Sequence, residues 1–148
     1  TSIPSTYTDL CLFFSLRSNG TNGYDVIELR FNNSSGTYNM KRIYGNGASA
    51  VSETNSLNRS NIGYSDDNVN TASIFSSGRV YIPNYTSSIN KTFSSDNVLE
   101  NNSSTAIPFI GSGTWVDTSV INQITIFPEY GTLYNQYSTA SLYGIKNS

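Results

Sequence analysis

The chain has 148 residues, only 12% of them charged, a formal net charge of −2, one cysteine and no histidine. That length supports one domain, residues 1–148, with a core large enough to fold without metal or disulfide staples. The missing histidine removes Ser-His-Asp and Cys-His nucleophile sets and most zinc sites, the eight scattered basic residues leave no nucleic-acid footprint, and no apolar run approaches the length of a membrane span.

Ser, Asn and Thr fill the place of the missing charges, and they favour turns over helix interiors. Aromatics, at 13%, supply burial that the aliphatics lack. No signal peptide is visible at the start. After an extended lead-in at Ile3-Pro4-Ser5-Thr6, Tyr7–Arg17 is predicted as a strand. Leu10, Leu12, Phe14 and Leu16 share one face, and Cys11, Phe13, Ser15 and Arg17 the other. Both faces are apolar near the middle, which fits a strand covered on two sides or an interface on one. Cys11 sits in that run, and a buried, inert thiol is expected.

Ser18–Gly23 is a loop. Tyr24–Asn32 follows as a half-exposed strand, Ile27, Leu29 and Phe31 alternating with Glu28, Arg30 and Asn32. Asn33-Ser34-Ser35-Gly36 has hairpin-turn chemistry, and Thr37–Tyr44 is the return strand with Tyr38, Met40, Arg42 and Tyr44 on one side. Gly45–Thr71 is the least regular stretch. Within it Asn61–Tyr64 patterns as a short strand and Asp66-Asp67-Asn68 as a loop tip. Thr71–Ser76 and Gly78–Tyr85 are extended, with Pro83 marking a strand end or an edge. Thr86–Ser104 is polar, anchored by Phe93, Val98 and Leu99. Ala106–Ile110 is a short strand interrupted at Pro108, and Gly111-Ser112-Gly113 turns into Trp115, a plug for the sandwich end. Ser119–Ile145 reads as two strands joined by the turn Glu129-Tyr130-Gly131-Thr132, closing a sheet and hiding an edge. The sum is about eight strands with no helical period. The fold class is all-β, a jelly-roll-like two-sheet β-sandwich.

Chemistry is sparser. Asp66 and Asp67 are adjacent, either a solvated loop or an oxygen-ligand pair for a cation; they lack the spaced pattern of a calcium loop. Asp25 and Glu28 fall on opposite faces of one strand, and Glu28 with Arg30 forms a surface charge pattern worth about 0–1 kcal/mol. Glu129 and Tyr130 sit in a turn. No pair of carboxylates is placed for glycoside hydrolysis. Tyr44, Tyr64, Tyr81, Tyr85, Tyr130, Tyr134, Tyr137 and Tyr143 lie beside Asn and Ser, as sugar sites and protein interfaces require, or as rings packed between sheets require. N-x-[ST] patterns begin at Asn32, Asn58, Asn84, Asn90 and Asn101, among other positions, and chance accounts for many of them in so Asn-rich a chain.

Five segments, in order over nearly the whole chain, resemble a structural domain of tailed-bacteriophage virions. They are Ile3-Pro4-Ser5-Thr6-Tyr7-Thr8-Asp9-Leu10, Leu29-Arg30-Phe31-Asn32, Arg42-Ile43-Tyr44-Gly45-Asn46-Gly47, Val80-Tyr81-Ile82-Pro83-Asn84-Tyr85, and the stretch Ser138–Ile145 that ends Ser141-Leu142-Tyr143-Gly144-Ile145. The resemblance implies a β-sandwich module on the virion surface, used in tail appendages and capsid decoration. It carries no catalytic residue and no cofactor. It also implies a further strand before Thr1-Ser2-Ile3-Pro4, whose absence would leave an edge free near the C-terminal strand. The expected role is therefore non-enzymatic: a capsid decoration or cement protein assembled in the host cytoplasm. A tail-fibre or tail-appendage receptor-binding domain and a carbohydrate-binding module are the alternatives. Expected partners are the major capsid protein or tail proteins, further copies of the chain and a host-surface glycan, with no nucleic acid and no membrane insertion.

Overall fold

A computed structural model describes residues 2–102 and 106–146. Ser103, the last residue of the Asn101 pattern, and Thr1 lie outside the described residues. The described chain is all-β, with ten strands: β1 Asp9–Leu16, β2 Asp25–Phe31, β3 Tyr38–Gly45, β4 Ala50–Leu57, β5 Ser60–Ser65, β6 Ser76–Ile82, β7 Lys91–Glu100, β8 Ala106–Trp115, β9 Ile124–Pro128 and β10 Thr139–Ile145. They form two antiparallel sheets. The larger has the order β10-β1-β6-β7-β8-β3-β4, and the smaller the order β5-β2-β9. The sheets enclose one main core as a β-sandwich.

The alternation of β1 places Leu10, Leu12, Phe14 and Leu16 in that core. Ile27, Leu29 and Phe31 of β2 meet them from the smaller sheet. The opposite face of β1 is half open: Phe13 is 45% exposed and lies edge-on to Tyr143, ring centroids 5.7 Å apart. At one end the core is aromatic. Trp115 is buried, stacked on Tyr38 at 6.2 Å and tilted against Phe31 at 5.6 Å, so the plug expected of it is real. The Tyr38 hydroxyl accepts the Phe31 N–H at 2.8 Å, which satisfies the polar tip of a fully buried ring.

Gly78 lies under the Phe14 ring. A Cβ there would sit 2.6 Å from the ring and 2.7 Å from the Asp96 carbonyl oxygen. Glycine lets that ring lie flat on the sheet.

Several sequence expectations are corrected. Ten strands replace about eight, because β4 and β7 carry few large apolar residues. β7 alternates strictly between buried and exposed residues, but Lys91, Ser95 and Asn97 occupy three of its five buried positions. β8 runs unbroken through Pro108 and Gly111-Ser112-Gly113, and Thr71–Phe75 is not a strand. Asn33–Gly36 is not a hairpin turn. It joins β2 in one sheet to β3 in the other, with Asn32 and Asn33 in the left-handed region (φ 53 and 52). Likewise the two strands of Ser119–Ile145 do not pair. β9 pairs with β2, and β10 pairs with β1.

Candidate functional site

Buried carboxylates do much of the work of holding the loops at one end. Asp25 Oδ1 accepts the N–H groups of Glu129 and Tyr130 (3.1 and 2.9 Å), and Oδ2 that of Gly131 (2.8 Å). Asp67 is fully buried and accepts the N–H groups of Asn22 and Gly23, both at 2.7 Å, and of Val69 at 3.1 Å. Asp66 is also fully buried and accepts from the Asn70 amide at 3.0 Å; burial raises its pKa to about 6. The solvated loop expected for Asp66-Asp67-Asn68 is therefore buried at both aspartates and exposed only at Asn68. Carboxylate oxygens replace strand partners for loop N–H groups that would otherwise be orphaned. No cluster of three or more ligating side chains occurs among the described residues.

A second group of charges lines a cleft of about 250 Å³ where the β3–β4 ribbon meets β2, β5 and the Glu129–Tyr130 turn. Glu28 lies in its wall with a side chain only 2% exposed. It was expected to share an exposed face with Arg30; instead the Asn61 strand and Arg59 cover it. A β-bulge between Ile27 and Glu28, in the pairing with β5, re-aims this part of the strand. Arg59 Nε is 3.3 Å from Glu28 Oε1, and Arg59 also bonds Glu129 Oε1 at 2.6 Å. Glu28 Oε2 has no hydrogen-bond partner. Burial pushes the Glu28 pKa up to about 7, against the pull of Arg59.

Across the cleft Arg42 pairs with Glu53, its Nε 2.8 Å from Oε2, and the Tyr44 hydroxyl donates to Glu53 Oε1 at 3.0 Å. Hydrogen bonding to Arg42 holds the Glu53 carboxyl below its ordinary pKa. The Arg42 guanidinium lies over the rings of Tyr44 and Tyr64, at 5.6 and 5.9 Å. Tyr64 is buried at the base, edge-on to Tyr24 and Tyr44 at 5.4 Å each. Tyr24 and Tyr130 stand at the rim, 40% and 51% exposed. Of the tyrosines singled out in the sequence, the fold gathers Tyr44, Tyr64 and Tyr130 here; Tyr85 is buried elsewhere, and Tyr81, Tyr137 and Tyr143 are exposed apart from the cleft. Arg42, Glu53, Arg59 and Tyr24 were not readable as site residues, because strand pairing joins them, over separations from 11 positions for Arg42 with Glu53 to 70 for Arg59 with Glu129.

The other candidate feature is an edge. β10 is the outer strand of the larger sheet, bonded to β1 alone among the described strands. All seven of its residues are exposed. Leu142 lies opposite Leu12 and so on the core-facing side, yet it is 39% exposed. The other edges are protected: β4 carries Glu53, β9 ends in Pro128, and β5 is buried throughout. Thr139–Ile145 has no charge and no proline. The segment expected to hide an edge covers that of β1 and presents its own.

Cys11 is buried, and desolvation raises its pKa, as expected of an inert thiol. Compared with protein-family models, curated proteins and solved structures, the chain matches none.

Proposed function

We propose that this chain is a non-enzymatic structural module of a bacteriophage virion, a capsid decoration or cement protein, which docks to neighbouring virion subunits by strand addition along β10. The observation that carries the docking is the uncharged, proline-free edge Thr139–Ile145, exposed on both faces. Strand addition takes affinity from main-chain hydrogen bonds and specificity from alternate side chains, here Ser141, Tyr143 and Ile145 on one face and Ala140 and Leu142 on the other. The phage assignment is supported by the five ordered segments described above, the last of which is this strand.

The test is incorporation into particles. Ser141→Lys adds a charge to an exposed edge position and is expected to change stability by no more than about 0.5 kcal/mol, while the folded variant fails to join the virion. Normal incorporation, or a few copies confined to the tail, sinks the decoration role. A tail-appendage receptor-binding role is the second reading, and the Glu28 cleft favours it. Adsorption of the isolated protein to host cells supports it, and a folded protein that does not adsorb counts against it.

A further inference from the structure

We propose that the outer face of the larger sheet is the interface of a two-fold dimer, on which a second copy of this chain packs face to face. The inference does not depend on the virion reading, and it uses the face of the sheet, not the β10 edge. Its first support is an exposed apolar surface. Register sets Ser141, Phe13, Arg79, Asp96, Ile110 and Ile43 side by side in one row across β10, β1, β6, β7, β8 and β3. Ile110 and Ile43 are 69% and 59% exposed, and the exposed Tyr143, Tyr81 and Val98 lie on the same face in the neighbouring rows. Single exposed apolar residues are ordinary, but a contiguous set marks a contact surface.

The second support identifies the partner, because the row is complementary to its own reversal. The Arg79–Asp96 ion pair stands at its centre, Nε 2.6 Å from Oδ1, with both side chains more than half exposed. Two sheets packing face to face keep their strands nearly aligned. A two-fold axis between them, parallel to the strands and over this ion pair, sets β6 against β7 of the second copy, β1 against β8 and β10 against β3. Arg79 then meets Asp96 of the second copy, and Phe13 meets Ile110. In the next row Lys41 meets the Tyr143 ring, a cation–π pairing. The third support is shape. A hollow of about 590 Å³ on this face lies over Ser15, Ser77 and Gly78, between Phe13 and Val98. The same axis seats Val98 of the second copy over Ser77 and Pro108 over Ser15, so each copy fills the hollow of the other. Six strands and three rows of outward residues cover roughly 600 Å² per copy, which reaches the lower limit, about 1,200 Å² in total, of a specific interface.

The experiment is sedimentation equilibrium of the full chain, with circular dichroism to show that each variant folds. The wild type is expected to dimerise with a dissociation constant on the order of 10 µM, as suits an interface at the small end of the range. Ile110→Asp changes an exposed side chain and should weaken the dimer at least about a hundredfold, because it buries a carboxylate against Phe13. Arg79→Asp and Asp96→Arg should each be monomeric, since four like charges meet at the axis. Mixed in equal amounts they should restore dimers, because opposite charges again face each other across it. Ala140→Lys charges the β10 edge on the core-facing side of the sheet and should leave the dimer intact. The proposal is overturned if the wild type stays monomeric at millimolar concentration, if Ile110→Asp dimerises as well as the wild type, or if the two folded charge variants stay apart when mixed. Dimers lost in Ala140→Lys and kept in Ile110→Asp would also overturn it, by assigning self-association to the edge.

Discussion

Replacing Glu28 by Gln tests the electrostatics of the cleft without any ligand. The ordinary pKa of this carboxyl is 4.5, and burial raises it to about 7 in the folded protein. The folded state therefore holds a proton that the unfolded chain releases. Below pH 4.5 both states are protonated and the group's contribution is fully present; it is lost as the pH rises through about 7. At about 1.36 kcal/mol per unit, the whole window is worth about 3 kcal/mol, of which about 2.5 falls between pH 5 and pH 8. Gln cannot ionise and is free of this loss. Asp66 is raised in the same direction, to about 6, so the wild-type decline with pH has at least two sources. The difference between wild type and Glu28→Gln cancels the Asp66 share. Urea denaturation of both proteins at pH 5 and pH 8 should show the variant gaining about 2.5 kcal/mol on the wild type over that interval. Parallel curves would refute the reasoning, and a variant that loses ground at high pH would show that the Arg59 pair outweighs burial.

Two further predictions concern the frame. Asp25→Ala leaves the N–H groups of Tyr130 and Gly131 without their acceptor, while the Glu129 N–H keeps the Val26 carbonyl oxygen at 3.0 Å, and at about 1 kcal/mol for each partly buried group it should cost about 2 kcal/mol in chemical denaturation; a loss under about 0.5 kcal/mol would mean that water replaces the carboxylate. Gly78→Ala places a methyl 2.6 Å from the Phe14 ring and 2.7 Å from a backbone oxygen, so a loss of about 1–3 kcal/mol is expected from overpacking, and an unchanged melting midpoint would show that the ring simply moves aside.

Strands whose alternating positions carry large aliphatics were legible. β1 and β2 announce themselves through Leu10, Leu12 and Phe14, and through Ile27, Leu29 and Phe31. β7 does not, because Lys91, Ser95 and Asn97 are buried in it and contrast too little with Thr92, Ser94 and Asp96 outside. Sheet membership was not legible either. Asn33–Gly36 has the length and residues of a hairpin turn, yet it crosses between sheets, a choice made by the pairing of β2 with β5 and β9 and of β3 with β4 and β8. The cleft was hidden for the same reason. Alternation placed Glu28 outside, and only the return of β5 with Arg59 and of the Glu129 turn, 104 positions from Asp25, encloses it. A free edge near the C-terminal strand was anticipated only from the resemblance, which implies a further strand before Thr1; the residues of β10 themselves were read as closing a sheet and hiding an edge.

The burial of acids changes what a partner meets at a distance. Half of the ten carboxylates, Asp9, Asp25, Glu28, Asp66 and Asp67, are buried, against two of the eight basic side chains, Arg17 and Lys91. The formal charge of −2 therefore overstates the acidity of the surface, where five carboxylates face six cations. An approaching molecule encounters an almost balanced field, so long-range steering is weak and ionic strength should change association rates little. Recognition by such a surface depends on fit at contact, through backbone edges and rings, and it holds equally well in dilute and in salty surroundings.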